Sequence, residues 1–412
     1  MQGKYQLDKY LSALLAFLLT VTMAVAAPRH HVNKPDSPVV TAQPMTAAKA
    51  DASAPVFDAH YAYMVDFDTG RVLYNKNGEE RMPTSSMSKM MTMYLVFEQL
   101  KQGKLALDSK LPVSEHAWKT GGAGTESSTM FLKLNDNVAV QDLIRGVIIQ
   151  SGNDATIVLA EGIAGSEDAF AERMNLKAQE LGMTESHFMN ASGLPDPNHY
   201  SSPRDLSILA KRLIEDFPEY YHFFSELKFT WNGITQMNRN PLLYRNIGVD
   251  GLKTGHAEEA GYGLTASGVE NGHRLILVMN GMPSMQARAD EPATLLEWGY
   301  HEFRLMTLFK AGDVLDQAPV WLGAADTVPV AVDRDVKMTL TADERHNLKA
   351  TIVYDRAAQA PIAVGDKVGI VRIEVPGNPA VEVPLVATQA VEKLGPFPRM
   401  IAALKMLISG HT

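Results

Sequence analysis

Three short motifs stand in one order along the chain: Ser86-Met87-Ser88-Lys89, then Ser151-Gly152-Asn153, then Lys253-Thr254-Gly255. They supply a nucleophile with a built-in base, a polar clamp, and a cationic strand edge able to hold a carboxylate. On a helix, residues three apart share a face, so Lys89 projects beside the Ser86 hydroxyl. A lysine at its ordinary pKa of about 10.4 is protonated and takes no proton from serine. Bringing it to neutrality costs roughly 4.6 kcal/mol, through desolvation and neighbouring positive charge. Lys253 is the candidate for that second charge. Its ammonium would also neutralise a substrate carboxylate, Thr254 would donate a hydrogen bond, and Gly255 would let a backbone approach closely. Ser151 is read as relaying a proton with Lys89, and Asn153 as holding Lys89 and a substrate amide.

Each motif has a plainer reading when taken alone: a helix N-cap for Ser86, a loop and N-cap for Ser151 and Asn153, a solvated lysine for Lys253. Two of the three also recur. Ser225-Glu226-Leu227-Lys228 is a second Ser-x-x-Lys, and Lys119-Thr120-Gly121 a second Lys-Thr-Gly. Context separates them. Met87 to Leu100 holds no Gly or Pro and repeats its apolar residues at helical spacing, so a helix follows Ser86 directly. Ser225 lies among Tyr220, Tyr221, Phe223 and Phe224 without partner motifs and reads as surface helix. Lys119 opens Lys-Thr-Gly-Gly-Ala-Gly, which reads as a flexible loop before the Ser-Gly-Asn motif. Lys253 instead precedes two alternating runs, Tyr262 to Val269 and Arg274 to Met279, joined by Glu270-Asn271-Gly272-His273, a strong hairpin signal. An edge strand there pairs readily with an extended peptide.

The other elements are those needed to position these motifs. A hairpin at Tyr61–Val65 and Arg71–Tyr74 flanks the turn Asp66-Phe67-Asp68-Thr69-Gly70. Helical stretches at Val140–Ile149 and Ala155–Ala164 bracket Ser151-Gly152-Asn153, and a helix from Gln286 to Phe303 closes the domain. After about Lys310 the texture changes. Short β-rich runs at Val328–Val332, Val336–Leu340, Ala350–Tyr354, Val368–Val375 and Ala380–Val386 read as a small all-β domain without a catalytic constellation.

The 412 residues include no cysteine, which excludes disulfides, thiol nucleophiles and a lipoprotein attachment site. A net charge of −9 argues against nucleic acid as a partner. The start reads as a secretory signal at residues 1–26: Lys4 and Lys9, an apolar run from Leu11 to Ala26, and small residues at Ala24-Val25-Ala26. An uncleaved N-terminal anchor is the alternative. Residues 27–55 are Pro-, Ala- and Thr-rich and read as a disordered linker. His30-His31 is an isolated pair within it, no metal cluster is evident, and the P-loop and dinucleotide fingerprints are absent, so no cofactor is expected. At the other end, Phe397, Met400, Ile401, Leu404, Leu407 and Ile408 form one helical stripe, and after Glu392 the tail holds Lys393, Arg399 and Lys405 but no acid. A basic amphipathic helix of this kind suits an anionic bilayer surface. Docking of that helix on its own domain is the alternative.

The chain resembles the D-alanyl-D-alanine carboxypeptidases, low-molecular-mass penicillin-binding proteins of the S11 serine peptidase family. The resemblance runs from about Phe57 to the C-terminus. It is specific in Pro83-Thr84-Ser85-Ser86-Met87-Ser88-Lys89-Met90-Met91-Thr92, in Gly146 to Ala155, and in Val249-Asp250-Gly251-Leu252-Lys253-Thr254-Gly255-His256. The segment Trp231 to Gln236 followed by Asn238-Arg239-Asn240 is also similar, and the resemblance gives Arg239 a part in binding the terminal carboxylate. It implies an α/β transpeptidase/β-lactamase-like domain, an antiparallel sheet flanked by helices, at 56–310. A β-rich domain at 311–391 and an amphipathic membrane-associating tail at 392–412 follow. By the same resemblance Ser86 attacks the penultimate D-alanine carbonyl of a peptidoglycan stem ending in D-Ala-D-Ala, with Lys89 as general base. The oxyanion sits between the backbone N–H groups of Ser86 and His256. Water then hydrolyses the acyl-serine, and β-lactam antibiotics enter as inhibitors. The resemblance assigns no peptide contact to the stretch from about Leu194 to Pro203. Location would be periplasmic, on the inner membrane. Two rivals stand beside this reading. A class A β-lactamase normally shows Ser-Asp-Asn and an acidic Glu-x-x-Leu-Asn segment, neither found here. An inactive peptidoglycan-binding scaffold has no need of Ser86, Lys89 and Lys253.

Overall fold

The structure, a computed structural model, describes residues 2–6, 21–22, 54–396 and 398. Most of the signal expected at 1–26, nearly all of the linker at 27–55 and the apolar stripe of the tail from Phe397 onward lie outside the described residues. The chain divides into one unit at residues 47–301 and another at 302–412, the latter joined by the N-terminal 46 residues.

Five antiparallel strands form the sheet of the larger unit: β1 (Tyr61–Asp66), β2 (Val72–Lys76), β3 (Val249–Ala257), β4 (Gly261–Glu270) and β5 (His273–Met282). Their order is β2-β1-β5-β4-β3, which leaves β3 at an edge. The β4–β5 turn pairs Glu270 with His273 across Asn271 and Gly272, at φ 51° and 79°. Both need the left-handed region, which Asn and Gly tolerate best. The β1–β2 turn is closed by Asp66, whose Oδ1 accepts from the Thr69 N–H and hydroxyl at 2.6 and 2.8 Å. Leu275 to Met279 are buried without a break, as in a strand covered on both faces.

Helix α1 (Lys89–Lys101) is buried at every residue from Lys89 to Phe97. The periodic apolar pattern therefore understated its burial: it runs through the core rather than across its surface. Against it lie α3 (Val140–Ile148) and α4 (Asn153–Ala164), with α2 (Glu115–Gly121) packed on α4; α5 (Met285–Glu302) lies on the sheet, where Gly299 meets Met64 and Leu275. Lys119, expected in a flexible loop, instead rides in the last turn of α2. Ser114 caps that helix by accepting from the Ala117 N–H, and Lys119 pairs with Glu115 one turn back.

The start of α4 is held by the wholly buried Asp154. Its carboxylate accepts from the Thr129 hydroxyl at 2.8 Å and from the backbone N–H groups of Met130, Leu132 and Ala155 at 2.8, 3.0 and 2.9 Å. A negative charge at a helix N-terminus is favourable in itself, and here it also fixes the 128–132 segment beside the motif residues.

In the smaller unit, strands Val314–Trp321, Thr327–Val332, Val381–Ala387, Lys367–Glu374 and Lys349–Val353 lie in that spatial order, with Gln2–Gln6 beside the last. Arg304–Phe309 pairs separately with Val336–Leu340. Buried Val328, Val330, Leu340, Ile352, Ile373 and Leu385 make its core. The strands at 304–309 and 314–321 escaped the sequence pattern, the second because Pro319 interrupts the alternation. No helix among the described residues is long and apolar enough to cross a membrane.

Asp154→Asn should lower unfolding free energy by about 2–4 kcal/mol, since it removes a charge that satisfies three buried backbone donors. A urea melt of the variant checks this, and an unchanged midpoint would contradict it.

Candidate active site

Ser86 lies in the 3-10 turn Ser85–Ser88, which runs straight into α1. Lys89, first in the helix, is wholly buried. Its Nζ lies 2.9 Å from Ser86 Oγ, 2.7 Å from Asn153 Oδ1 and 2.5 Å from the Ser192 carbonyl oxygen. Burial first, and the positive charge of Arg239 second, bring its pKa down to about 7, against the pull of Asp154 and Glu167. Asn153 and Ser192 offer only acceptors to it, so the neutral amine gives them its two N–H groups. Its lone pair is then left for the Ser86 hydroxyl. This is the geometry of a serine with its base in place.

Ser151 occupies the junction of α3 and α4 at φ 60°, and Asn153 opens α4. A Cβ at Gly152 would stand 2.8 Å from Asp154 Oδ1 and 2.9 Å from the Met130 nitrogen, so this backbone admits only glycine between them. Asn153 also donates to Ser127 Oγ at 3.0 Å. Lys253 lies within β3, on the sheet edge, with Nζ 3.0 Å from Ser151 Oγ and 3.1 Å from the Thr254 carbonyl. Ser151, expected to serve Lys89, thus bonds Lys253. Burial, then the charges of Lys89, Arg239 and Arg288, push the Lys253 amine well below its usual pKa.

Thr254 and Gly255 follow along the same buried edge. A Cβ at Gly255 would lie 2.8 Å from the Thr84 carbonyl oxygen and 3.2 Å from Met87 Cγ, so glycine is what lets β3 close on the nucleophile's turn. His256 is exposed at the end of β3, its ring 4.0 Å from that of Tyr262. Arg239 is exposed at the mouth and donates to Ser128 Oγ at 2.5 Å. All nine residues singled out in the motifs and by resemblance fall in this one region.

The motifs did not point to Arg288. Arg288 on α5 is nine-tenths buried, its guanidinium 5.2 Å from the Tyr262 ring centre and its Nε without a partner. It influences Lys253 electrostatically. It falls on the buried stripe of α5 with Pro292, Leu295, Leu296 and Gly299, and an arginine on an apolar stripe was the available signal. The two decoy motifs lie elsewhere: Ser225 is exposed and donates to the His222 carbonyl, and Lys119 is solvated beside Glu115. Among the described residues no cluster of His, Asp or Glu could hold a metal ion.

Residues 48–284 match the S11 peptidase family, described as D-alanyl-D-alanine carboxypeptidase, and residues 303–393 match the C-terminal domain of penicillin-binding protein 5. The chain is 37% identical over 356 residues to the D-alanyl-D-alanine carboxypeptidase DacA of Escherichia coli, covering 86% of this chain and 88% of that one. It is 38% identical over 359 residues to DacA of Haemophilus influenzae, covering 86% and 91%. The crystal structure of penicillin-binding protein 5 from Haemophilus influenzae superimposes with a TM-score of 0.75 at 38% identity, over 83% of this chain and all of the other. Both domains and the ordered motifs agree with these matches, and the chain belongs to the S11 family of serine D-alanyl-D-alanine carboxypeptidases.

Proposed function

We propose that Ser86 is the residue acylated when this enzyme removes the terminal D-alanine from peptidoglycan pentapeptide stems. The observation that carries the assignment is the buried Lys89 amine, 2.9 Å from Ser86 Oγ with its other directions taken by Asn153 and Ser192. Ser86 Oγ attacks the penultimate D-alanine carbonyl while its proton passes to Lys89. The oxyanion rests on the N–H groups of Ser86 and His256. As the intermediate collapses, the C–N bond breaks and the leaving D-alanine nitrogen takes the proton that Lys89 received, relayed through the Ser151 hydroxyl that Lys253 holds at 3.0 Å, so that Lys89 is neutral again. Water then attacks the acyl-serine and frees the tetrapeptide. A β-lactam enters by the same attack, its ring amide standing in for the scissile bond. The family and its relatives support this reading over a β-lactamase or an inert scaffold.

The terminal carboxylate is met by Lys253, Thr254 and Arg239, and by Arg288. The two guanidinium groups stay charged at any working pH. Lys253 is held toward its neutral form in the free pocket, and an arriving carboxylate favours its protonation. Substrate binding therefore takes up a proton at Lys253.

We further propose secretion to the periplasm through the N-terminal signal, and attachment to the inner membrane through the basic amphipathic tail. The stripe from Phe397 to Ile408 and the absence of acid after Glu392 support this. Placed there, the enzyme works beside newly made peptidoglycan.

Three outcomes check these assignments. A labelled penicillin should add its mass to the peptide carrying Ser86, and Ser86→Ala should abolish the label while Ser225→Ala retains it; label on Ser225 would sink the assignment. Lys253→Ala should slow a substrate with a free carboxylate at least about ten-fold more than the matching amide, as expected for loss of a charged hydrogen bond, whereas Lys119→Ala leaves both unchanged. Truncation after Val391 should move the protein from the membrane to the soluble periplasmic fraction and spare hydrolysis of a soluble peptide; a truncated form that still sediments with membranes places the anchor elsewhere.

A further inference from the structure

The loop from Asn190 to Tyr200 lies outside the three motifs, yet it touches the nucleophile's turn repeatedly. Asn190 Oδ1 gathers the N–H groups of Ser192, Gly193 and Leu194 at 3.2, 2.7 and 3.0 Å, which shapes the loop from within. Thr92 of α1 donates to the Ala191 carbonyl at 2.6 Å, and Lys89 one turn earlier donates to that of Ser192. Gly193, at φ 80°, is so close to the turn that a Cβ would stand 1.9 Å from the Ser85 carbonyl oxygen. The last tie is His199, buried, with Nε2 2.6 Å from Ser88 Oγ.

The direction of that bond follows from the other ring nitrogen. The Met189 N–H points at His199 Nδ1 at 3.2 Å, so Nδ1 accepts and the ring proton sits on Nε2. Nε2–H therefore donates to Ser88, whose own proton is free for Thr84 Oγ1 at 2.5 Å. The Thr84 carbonyl in turn lies against Gly255 of β3. Polar contacts thus run from the loop through Ser88 to Thr84, whose carbonyl packs against the strand edge.

We propose that His199 is a positioning residue for acylation: through Ser88 it fastens the Asn190–Tyr200 loop, and with it the Ser192 carbonyl that receives a Lys89 N–H, to the turn that carries Ser86. The inference rests on the roles given above to Ser86 and Lys89. His199 must stay neutral to do this, because a proton on Nδ1 would confront the Met189 N–H. Burial pushes its pKa down to about 4, with Asp196 of its own loop opposing, and Lys89 of α1 and His187 of the adjoining segment adding to the shift. Loosening the loop admits water to Lys89, weakens the desolvation that keeps it neutral, and so raises its pKa.

The test is the rate of penicillin acylation against pH, with a thermal melt, for the full chain and its His199→Ala, His199→Gln and Ser88→Ala variants. His199→Ala should acylate Ser86 at least about ten-fold more slowly at neutral pH, the order expected when a reacting group is misplaced. Its rise in rate should move to higher pH. His199→Gln, which keeps an N–H donor at the Nε2 position, should retain the wild-type rate and profile. Ser88→Ala should shift like His199→Ala, and the double variant should be no worse than either single one. An unmoved profile in Ser88→Ala overturns the proposal even where His199→Ala fails to fold. So does equal slowing of His199→Ala and His199→Gln with the profile unmoved, which would mean packing alone. Wild-type enzyme that takes no label on Ser86 would instead defeat the underlying assignment.

Discussion

Two lysines buried in one pocket are the constraint to which the rest of the site is fitted. Lys89 is fully enclosed and Lys253 nearly so; the charge of Lys89 adds to the cost of charging Lys253, and that of Arg239 to the cost of charging both. A buried ammonium without a paired carboxylate is expensive, and the less costly outcome is loss of the proton. The enclosure of Lys89 is what brings its pKa down to about 7, as the base role proposed for it requires. Among the described residues no carboxylate bonds it directly. Asp154 and Glu167 act from a distance, and Asp154 spends its lone pairs on backbone donors instead. A direct ion pair would have restored the proton and silenced the base.

That arrangement demands an accurate frame, and three independent elements supply it. Ser86 and Lys89 come from one continuous turn and helix, so their spacing is set by local geometry. Ser151 and Asn153 come from the junction of two helices pinned by Asp154, and Lys253 from an edge strand. Glycines mark the places where these elements meet: Gly152 against Met130, and Gly255 against Thr84. Each would need backbone to move if it carried a side chain. β3 is the edge strand of the sheet, the position at which an extended peptide can pair, and Arg239 and Arg288 place fixed positive charge near its end.

Much of this was legible before the fold was known, and the reasons are local. Ser86 and Lys89 sit three apart in a helix-forming run, so their contact needs no tertiary information. The β4–β5 hairpin was announced by Asn271-Gly272, and the antiparallel sheet flanked by helices followed from resemblance. What escaped depended on distant packing. Arg288 joins the site only because α5 crosses near β4, and His199 only because a loop far along the chain folds under Ser88. Ser151 was assigned to Lys89 by motif logic, and only the placement of β3 gave it to Lys253. Lys119 was misread because Gly121 and Gly122 signalled a loop, whereas Ser114 and the Glu115 pair extend a helix to meet them.

The central claim is that Lys89 is held neutral near physiological pH by burial beside other cations. Titration of the enzyme labelled with 15N at lysine side chains, following the Lys89 resonance assigned through Lys89→Arg, measures this without turnover. The account predicts a midpoint near 7, far below the ordinary lysine value of about 10.4. A midpoint above 9 would contradict it, because Lys89 would then be an ammonium at working pH and the base would have to be sought elsewhere.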